Sequence, residues 1–252
     1  MKKTLSAILL ACLFAATANS QTLSEVIKKT NANLPRSFEL YTFQQFYFED
    51  DICLLQMTLH GDEILNSEYL TRDPQATKVW FRYFTMGIYN FYPNVLDKVV
   101  AGSANLSVYF HDVSYDRKFL ATYTNQELKD ILDEYRRIGK NTFIIKLEQA
   151  YSNLLKGLQL ADELTTSLGA EVTSDAFIYK FEVDEDYINI ADLQANMKIG
   201  RKAVLSESLQ TDKTKPFSFF SALKATKRKL KQIYIGSITG KTASVTYTPN
   251  EF

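Results

Sequence analysis

The feature that most constrains this chain is that its end repeats its middle. Ser244-Val245-Thr246-Tyr247-Thr248-Pro249-Asn250-Glu251-Phe252 lies over Leu120-Ala121-Thr122-Tyr123-Thr124-Asn125-Gln126-Glu127-Leu128 at an offset of 124 residues. Thr-Tyr-Thr is identical in the two, and so is the Glu three residues on. At the same offset Leu34 falls on Leu158, Glu39-Leu40 on Glu163-Leu164, Thr42 on Thr166, Asp51 on Asp175 and Ile64 on Ile188. Ile52–Leu59 lies over Ala176–Val183, each an apolar run with a polar residue at the fifth place. Val108-Tyr109-Phe110 aligns with Ile233-Tyr234-Ile235 once the following turn is shortened by one residue in the second copy. A period this long excludes a solenoid, whose repeats are about 20–50 residues. It implies two copies of a small domain; the competing account is chance similarity between two α/β segments.

Local patterns fill in each copy. Thr22 with Glu25 three residues on is a capping box that opens a helix, and Leu23, Val26 and Ile27 keep one helical face. Leu40–Phe48 and Ile52–Leu59, around the turn Glu49-Asp50-Asp51, read as a hairpin. Residues 60–78 are polar and irregular, and Val79–Ile88 is an aromatic helix. Pro93 starts another helix that Gly102 stops. Leu106–Val113 and Phe119–Thr124 form a second hairpin. Leu128, Ile131, Leu132, Tyr135 and Ile138 make the apolar stripe of a connecting helix that Gly139 ends.

The second copy starts with a helix near Thr142 carrying Leu147, Tyr151, Leu154, Leu155 and Leu158. Strands follow at Leu164–Val172, where Gly169 is a weak point, at Ala176–Val183 and at Tyr187–Ile190. A loop over residues 213–216, a helix over Phe217–Leu230 and a hairpin over Ile233–Ile238 and Thr242–Thr248 close the chain. The fold class expected is α+β: two tandem units, each helix, β-hairpin, variable segment, helix, β-hairpin, with antiparallel sheets packed on helices. The units are residues 21–128 and 145–252, joined by a connecting helix and linker over 129–144. This layout is similar to that of β-lactamase inhibitory proteins, which also join two helix-plus-antiparallel-sheet units in one exported chain; the similarity is one of architecture, and no site residue follows from it.

Residues 1–20 have the form of a bacterial secretory signal peptide. Lys2 and Lys3 precede a short apolar run, Leu5–Ala16, and Ala18-Asn19-Ser20 offers small residues to a signal peptidase. The run is too short to span a bilayer, so no transmembrane segment is expected after processing. The rival is lipidation at Cys12, within Leu9-Leu10-Ala11-Cys12. The expected location is periplasmic or extracellular. Processing leaves 27 basic against 29 acidic residues, a net charge near −2, so no global field selects a polyanionic partner. Cys53 is then the one cysteine, and an exported chain without an internal disulfide must hold together by its core.

Enzymatic chemistry has little to rest on. Cys53 lies inside an apolar strand run, the setting of an inert buried thiol. His60 is followed by Gly61-Asp62-Glu63, but no second His or Cys stands at ligand spacing, so no metal or cofactor is implied. His111 and Asp112 are adjacent on a strand and point to opposite faces. No phosphate loop or nucleophile elbow is present.

Two aromatic clusters stand out: Tyr41, Phe43, Phe46, Tyr47 and Phe48, then Trp80, Phe81, Tyr83, Phe84, Tyr89, Phe91 and Tyr92. Their plain role is core packing. A helix that is aromatic nearly all round must also present rings elsewhere. Trp80, Tyr83, Phe84, Tyr89 and Tyr92 are therefore the candidate partner surface. Lys224, Lys227, Arg228 and Lys231 fall at spacings of three and four, on one stripe of the expected helix. They are the candidate anion-binding face, set against the plain reading of a solvated helix face. No nucleic-acid fingerprint is present.

The expected function is that of an exported, non-enzymatic binding protein contacting a macromolecule or an anionic component of the cell envelope. The alternative is a carboxylate-dependent hydrolase of envelope material, which would need a cleft of convergent ionisable groups. The intact mass of the exported protein should correspond to a chain starting at Gln21; a diacylglyceryl adduct on Cys12 would refute this.

Overall fold

The structure, a computed structural model, describes residues 21–38, 41–60, 72–113, 116–160, 162–215 and 217–252. The signal segment with Cys12, Gly61-Asp62-Glu63, and the repeat positions Glu39, Leu40 and Ile64 lie outside the described residues.

The chain forms α1 (Leu23–Asn31), β1 (Arg36–Ser37), β2 (Tyr41–Glu49), β3 (Ile52–Leu59), α2 (Pro74–Phe91), α3 (Pro93–Ala101), β4 (Asn105–Asp112), β5 (Arg117–Tyr123) and α4 (Asn125–Leu154). It continues with β6 (Thr165–Val172), β7 (Ala176–Val183), α5 (Ile190–Thr214), α6 (Phe219–Ala225), β8 (Lys229–Gly236), β9 (Thr242–Tyr247) and a 3-10 turn, Pro249–Glu251. One sheet runs β1-β2-β3-β4-β5 and the other β6-β7-β8-β9. This is an α+β protein of two tandem sheet units.

The sheets are mixed rather than antiparallel. In each unit two hairpins lie side by side, and their inner strands, β3 with β4 and β7 with β8, run parallel. The reason is the helical crossover between the hairpins, which returns the chain to the same end of the sheet before the second hairpin begins. Each hairpin is legible locally; their mutual pairing is not.

Strand registers repeat at the offset of 124. Tyr41 pairs with Leu59 as Thr165 does with Val183. Ile52 pairs with Asn105 as Ala176 does with Lys229, and Leu106 with Tyr123 as Leu230 does with Tyr247. The offset holds without a gap, so Tyr109 corresponds to Ile233; the one-residue shift expected for Val108-Tyr109-Phe110 is not used. A bulge interrupts the first pairing at the same place in both units, between Phe43 and Gln45 and between Ser167 and Ala170. Gly169 sits in the second bulge at φ +85, and a Cβ there would collide with Asn153. The residue read as a weak point is what the bulge requires.

Turns repeat as well. Asn105 N–H donates to Asp51 C=O and Lys229 N–H to Asp175 C=O, both at 2.9 Å. Ser103 and Lys227 take the left-handed conformation at φ +58 and +56. Thr124 and Thr248 each form a capping box, with Glu127 and Glu251. The backbone and hydroxyl donors of these Thr residues hold both carboxyls below the ordinary range.

The strand expected at Tyr187–Ile190 does not form: this stretch is a turn that leads into α5. The variable segment of the second unit is one helix, Ile190–Thr214. Asn189 caps it through the N–H groups of Ala191 and Asp192. Its apolar contacts are a narrow seam, Ile190, Leu193, Met197, Leu205 and Leu209, while Ile199 is 83% exposed and Val204 is exposed as well. A seam that thin gives little periodic signal.

Side chains of β3 alternate, so Cys53, Leu55, Met57 and Leu59 are buried, and Leu106, Val108 and Phe110 of β4 join them. Helix α4 is broken at Gly139, whose φ/ψ of 74/165 is non-helical. Leu128, Ile131 and Leu132 before the break, and Phe143, Ile144 and Ile145 after it, belong to one cluster that also takes in Phe177, Leu230, Val245 and Tyr247 of the second sheet. The two sheets share one main core through α4.

On the closing strands, Thr122, Thr124, Thr246 and Thr248 are exposed, while Tyr123 is half-buried and Tyr247 is 2% exposed. This is the alternation a strand imposes. Arg201 stacks on the Tyr247 ring with its guanidinium carbon 5.1 Å from the centroid. Tyr247→Ala should lower the unfolding free energy by about 3 kcal/mol, as truncation of a buried ring does; urea denaturation measures it, and a loss near zero would mean that the ring is not part of the core.

Candidate functional site

A cavity of about 140 Å³ opens where the first sheet, α2, α4 and the segment before α6 meet. Strand β2 contributes Tyr41 and Phe43, and β3 contributes Leu59. Helix α2 presents Trp80, Phe84, Gly87 and Ile88. The part of α4 after Gly139 presents Ile144, Leu147, Glu148 and Tyr151, and Lys215, Phe217 and Phe219 close the remaining side.

Each wall has a local cause. Asp73 caps α2 through the N–H groups of Gln75 and Ala76, with Pro74 at the first helical position. That fixes the helix so that Trp80, Phe84 and Ile88, at intervals of four, share one face. Gly87 lies against Phe217: a Cβ there would sit 3.4 Å from the ring. Phe217 settles between Phe91 and Phe143, with ring centroids 5.1 and 5.2 Å away. Buried Asp212, at the end of α5, accepts from Phe219 N–H at 2.7 Å, Phe220 N–H at 3.3 Å and Ser218 Oγ at 2.5 Å. This carboxylate starts α6 and places Phe219.

The lining is apolar except at two points. Glu148 Oε1 accepts from the Tyr179 hydroxyl at 2.6 Å. Burial, and then the Glu148 charge, push the Tyr179 pKa well above the usual phenol range, so the hydroxyl keeps its proton and goes on donating. Burial raises the pKa of Tyr41 too. Lys215 is exposed. Arg36 is stacked on Phe38 and on Phe91, the ring that abuts Phe217, at 5.1 and 4.9 Å.

The candidate aromatic surface divides. Trp80 and Phe84 are 3% and 8% exposed. They are core rings, packed on Phe110 at 6.5 and 5.4 Å, that also line the cavity. Tyr83, Tyr89 and Tyr92 are half-buried and do not line it. Tyr83 accepts from Lys146 Nζ at 3.2 Å, Tyr89 sits under Arg136, and Tyr92 packs edge-on against Phe43 and Phe46. A continuous outer surface of these five rings does not form, because α2 is covered by sheet on one side and by α4 on the other.

The candidate anion-binding stripe does not form either. Thr226 caps α6, and Lys227 turns the chain into β8. Lys224 is thus on a helix, Lys227 and Arg228 in a turn, and Lys231 on a strand. Lys224 Nζ donates to Phe252 O at 2.8 Å, and Arg228 Nε to Thr173 C=O at 3.2 Å. The helix expected to reach Leu230 stops at Ala225.

Sequence reasoning missed the roles of Ile144, Glu148, Lys215 and Phe219. They come together from α4 and the stretch around α6, about seventy residues apart, and no local pattern announces that meeting. Among the described residues no group of three or more His, Cys, Asp or Glu side chains is arranged to hold a metal ion, and no helix is long and apolar enough to cross a membrane.

No protein-family model and no curated protein matches the chain. Among solved structures it is similar to a Pseudomonas aeruginosa protein described as a "putative secreted protein". The identity is 14% and the TM-score 0.32, over 42% of this chain and 88% of that one.

Burial pushes the Cys53 thiol up to about 12. At pH 8 a thiol-specific disulfide reagent should leave the folded protein unlabelled and react stoichiometrically after denaturation; rapid native labelling would refute this.

Proposed function

We propose that this is an exported binding protein of the cell envelope whose cavity takes an apolar group of an amphiphilic, anionic envelope component. The observation that carries the reading is the aromatic cavity between the two units, with Lys215 in its lining. Its volume matches one aromatic ring or a few methylenes; an apolar cavity of about 150 Å³ accepts benzene. An anionic head would meet Lys215, while the apolar part displaces the void among Trp80, Phe84 and Leu147. The non-enzymatic character of the reading is supported by the lining itself. Among the lining residues Glu148 is the one carboxylate, and it is engaged by Tyr179, whereas carboxylate-dependent glycoside hydrolysis works with a pair.

The test uses anilinonaphthalene sulfonate, an aromatic anion, as the probe. The native protein should bind it saturably with enhanced fluorescence. Leu147→Trp, which fills the cavity, should weaken binding roughly tenfold or more, with circular dichroism unchanged. Lys215→Glu should weaken it about threefold, as expected for one exposed charge contact. Binding that survives Leu147→Trp unchanged, or no binding by the native protein, would overturn the proposal.

A further inference from the structure

Four long sheet edges have to be managed in this molecule, and three of them are. On β2, Arg36 and Ser37 pair with Phe43 and Thr42. Farther along, Asn31 Nδ2 donates to Phe46 C=O while Phe46 N–H donates to Asn31 Oδ1, at 2.8 and 2.9 Å. On β6, Gly157, Leu158 and Leu160 bond the backbone of Ser167 and Thr165, and Asn153 Oδ1 accepts from Ala170 N–H. On β9, α5 covers the edge. Ser244 N–H donates to Gln194 Oε1 at 2.8 Å, Gln194 Nε2 donates to Ser244 C=O at 3.2 Å, and an Arg201 guanidinium nitrogen donates to Thr246 C=O at 2.7 Å.

Strand β5 is the counterpart of β9, and among the described residues its edge is bare. Asn105 N–H reaches Asp51 on the β3 side, so alternate residues of β4 face β5 from Leu106 onward. Leu106, Val108 and Phe110 are paired with Tyr123, Ala121 and Phe119, and these three residues of β5 bond inward. Lys118, Leu120 and Thr122 therefore aim their N–H and C=O groups outward. In β9 the residues at the same offset, Ser244 and Thr246, are those bonded by α5. Among the described residues nothing bonds the outward backbone groups of β5. Lys118 and Thr122 are exposed, and Leu120 is 63% exposed. Helix α2, which corresponds to α5, packs on α4 instead. A bare edge with an exposed apolar side chain at its middle is a template for another strand.

We propose that β5 pairs with β5 of a second copy of this chain, antiparallel about a two-fold axis at Leu120. The occupant follows from the sequence of the strand. With the axis there, Lys118 stands opposite Thr122 of the other copy and Arg117 opposite Tyr123, so no like charges meet. All three outward residues are used, each forming a hydrogen-bonded pair. The two Leu120 side chains lie together between the two Tyr109 rings, their neighbours across the ladder. Centring the axis on Lys118 would instead put two ammonium groups face to face and use fewer pairs. The two five-stranded sheets become one continuous sheet, an isologous contact.

Sedimentation velocity of the processed chain over a concentration series should show a monomer–dimer equilibrium. Leu120→Pro removes an N–H that serves no bond within the sheet, so it should give a folded monomer by circular dichroism. Leu120→Lys should do the same by charge repulsion, and it decides the matter if the proline variant fails to fold. In Leu120→Cys, Cα atoms about 5.5 Å apart across the axis should permit a disulfide-linked dimer on oxidation, with buried Cys53 unreactive. A wild-type monomer up to about 1 mM, a dimer that persists in both the proline and lysine variants, or a dimer that Leu120→Cys does not cross-link would overturn the proposal.

Discussion

Helix α4 is the element on which the rest of the structure depends. A sheet with one apolar face must bury that face, and α4 contributes to the core that residues of both sheets share. The part of α4 before Gly139 buries Leu128, Ile131 and Leu132 in the first unit. The part after it offers Phe143, Ile144, Ile145 and Leu154 to the core both units share. The break matters because it re-aims the second part. At φ +74 Gly139 adopts a conformation that other residues resist, and the apolar stripe changes direction without the chain leaving the core. Cross-links reinforce the first part: Arg82 pairs with Glu134, and Arg136 with Asp97. These ion pairs are partly exposed and contribute orientation more than energy.

Much of this was legible in the sequence, for a physical reason. The repeat Thr-Tyr-Thr with a following Glu encodes two local devices: a strand that alternates ring inward and hydroxyl outward, and a capping box that ends the strand by starting a helical turn. Both depend on neighbours within four residues, so they survive in the sequence. Gly139 and Gly102 mark helix ends for the same reason. What could not be read depends on distant partners. The parallel pairing of β3 with β4 needs the crossover to be known. Helix α5 buries so thin a seam that it lacks the period that betrays α2. The basic stripe from Lys224 to Lys231 fails because helical spacing was assumed past Thr226, where a left-handed residue sends the chain into a strand. Ser103 makes the same turn in the first unit, so the repeat itself held the correction.

The cavity was half visible. Tyr41, Phe43, Trp80 and Phe84 were conspicuous as aromatic residues, but an aromatic run has two ways of mattering, as core or as surface, and composition does not separate them. The structure makes Trp80 and Phe84 both core and lining. What turns packing into a cavity is the other wall, Leu147, Glu148 and Phe217, which arrives from beyond the first repeat.

The two copies differ in the position of one helix. In the first unit α2 packs beneath the sheet and against α4. In the second, α5 lies along the edge of β9, where Gln194 and Arg201 take up its backbone groups. With α5 out at that edge, Lys215 and Phe217 close the remaining side of the aromatic cavity. Holding α2 in leaves β5, among the described residues, without the cover that β9 receives. A duplicated fold in which both copies placed this helix alike would have either two covered edges or two bare ones. It would also lack the asymmetric wall that Lys215 and Phe217 provide. The departure from the repeat's symmetry thus shapes two places at once: among the described residues, one displaced helix leaves a pocket on one side and an uncovered strand on the other.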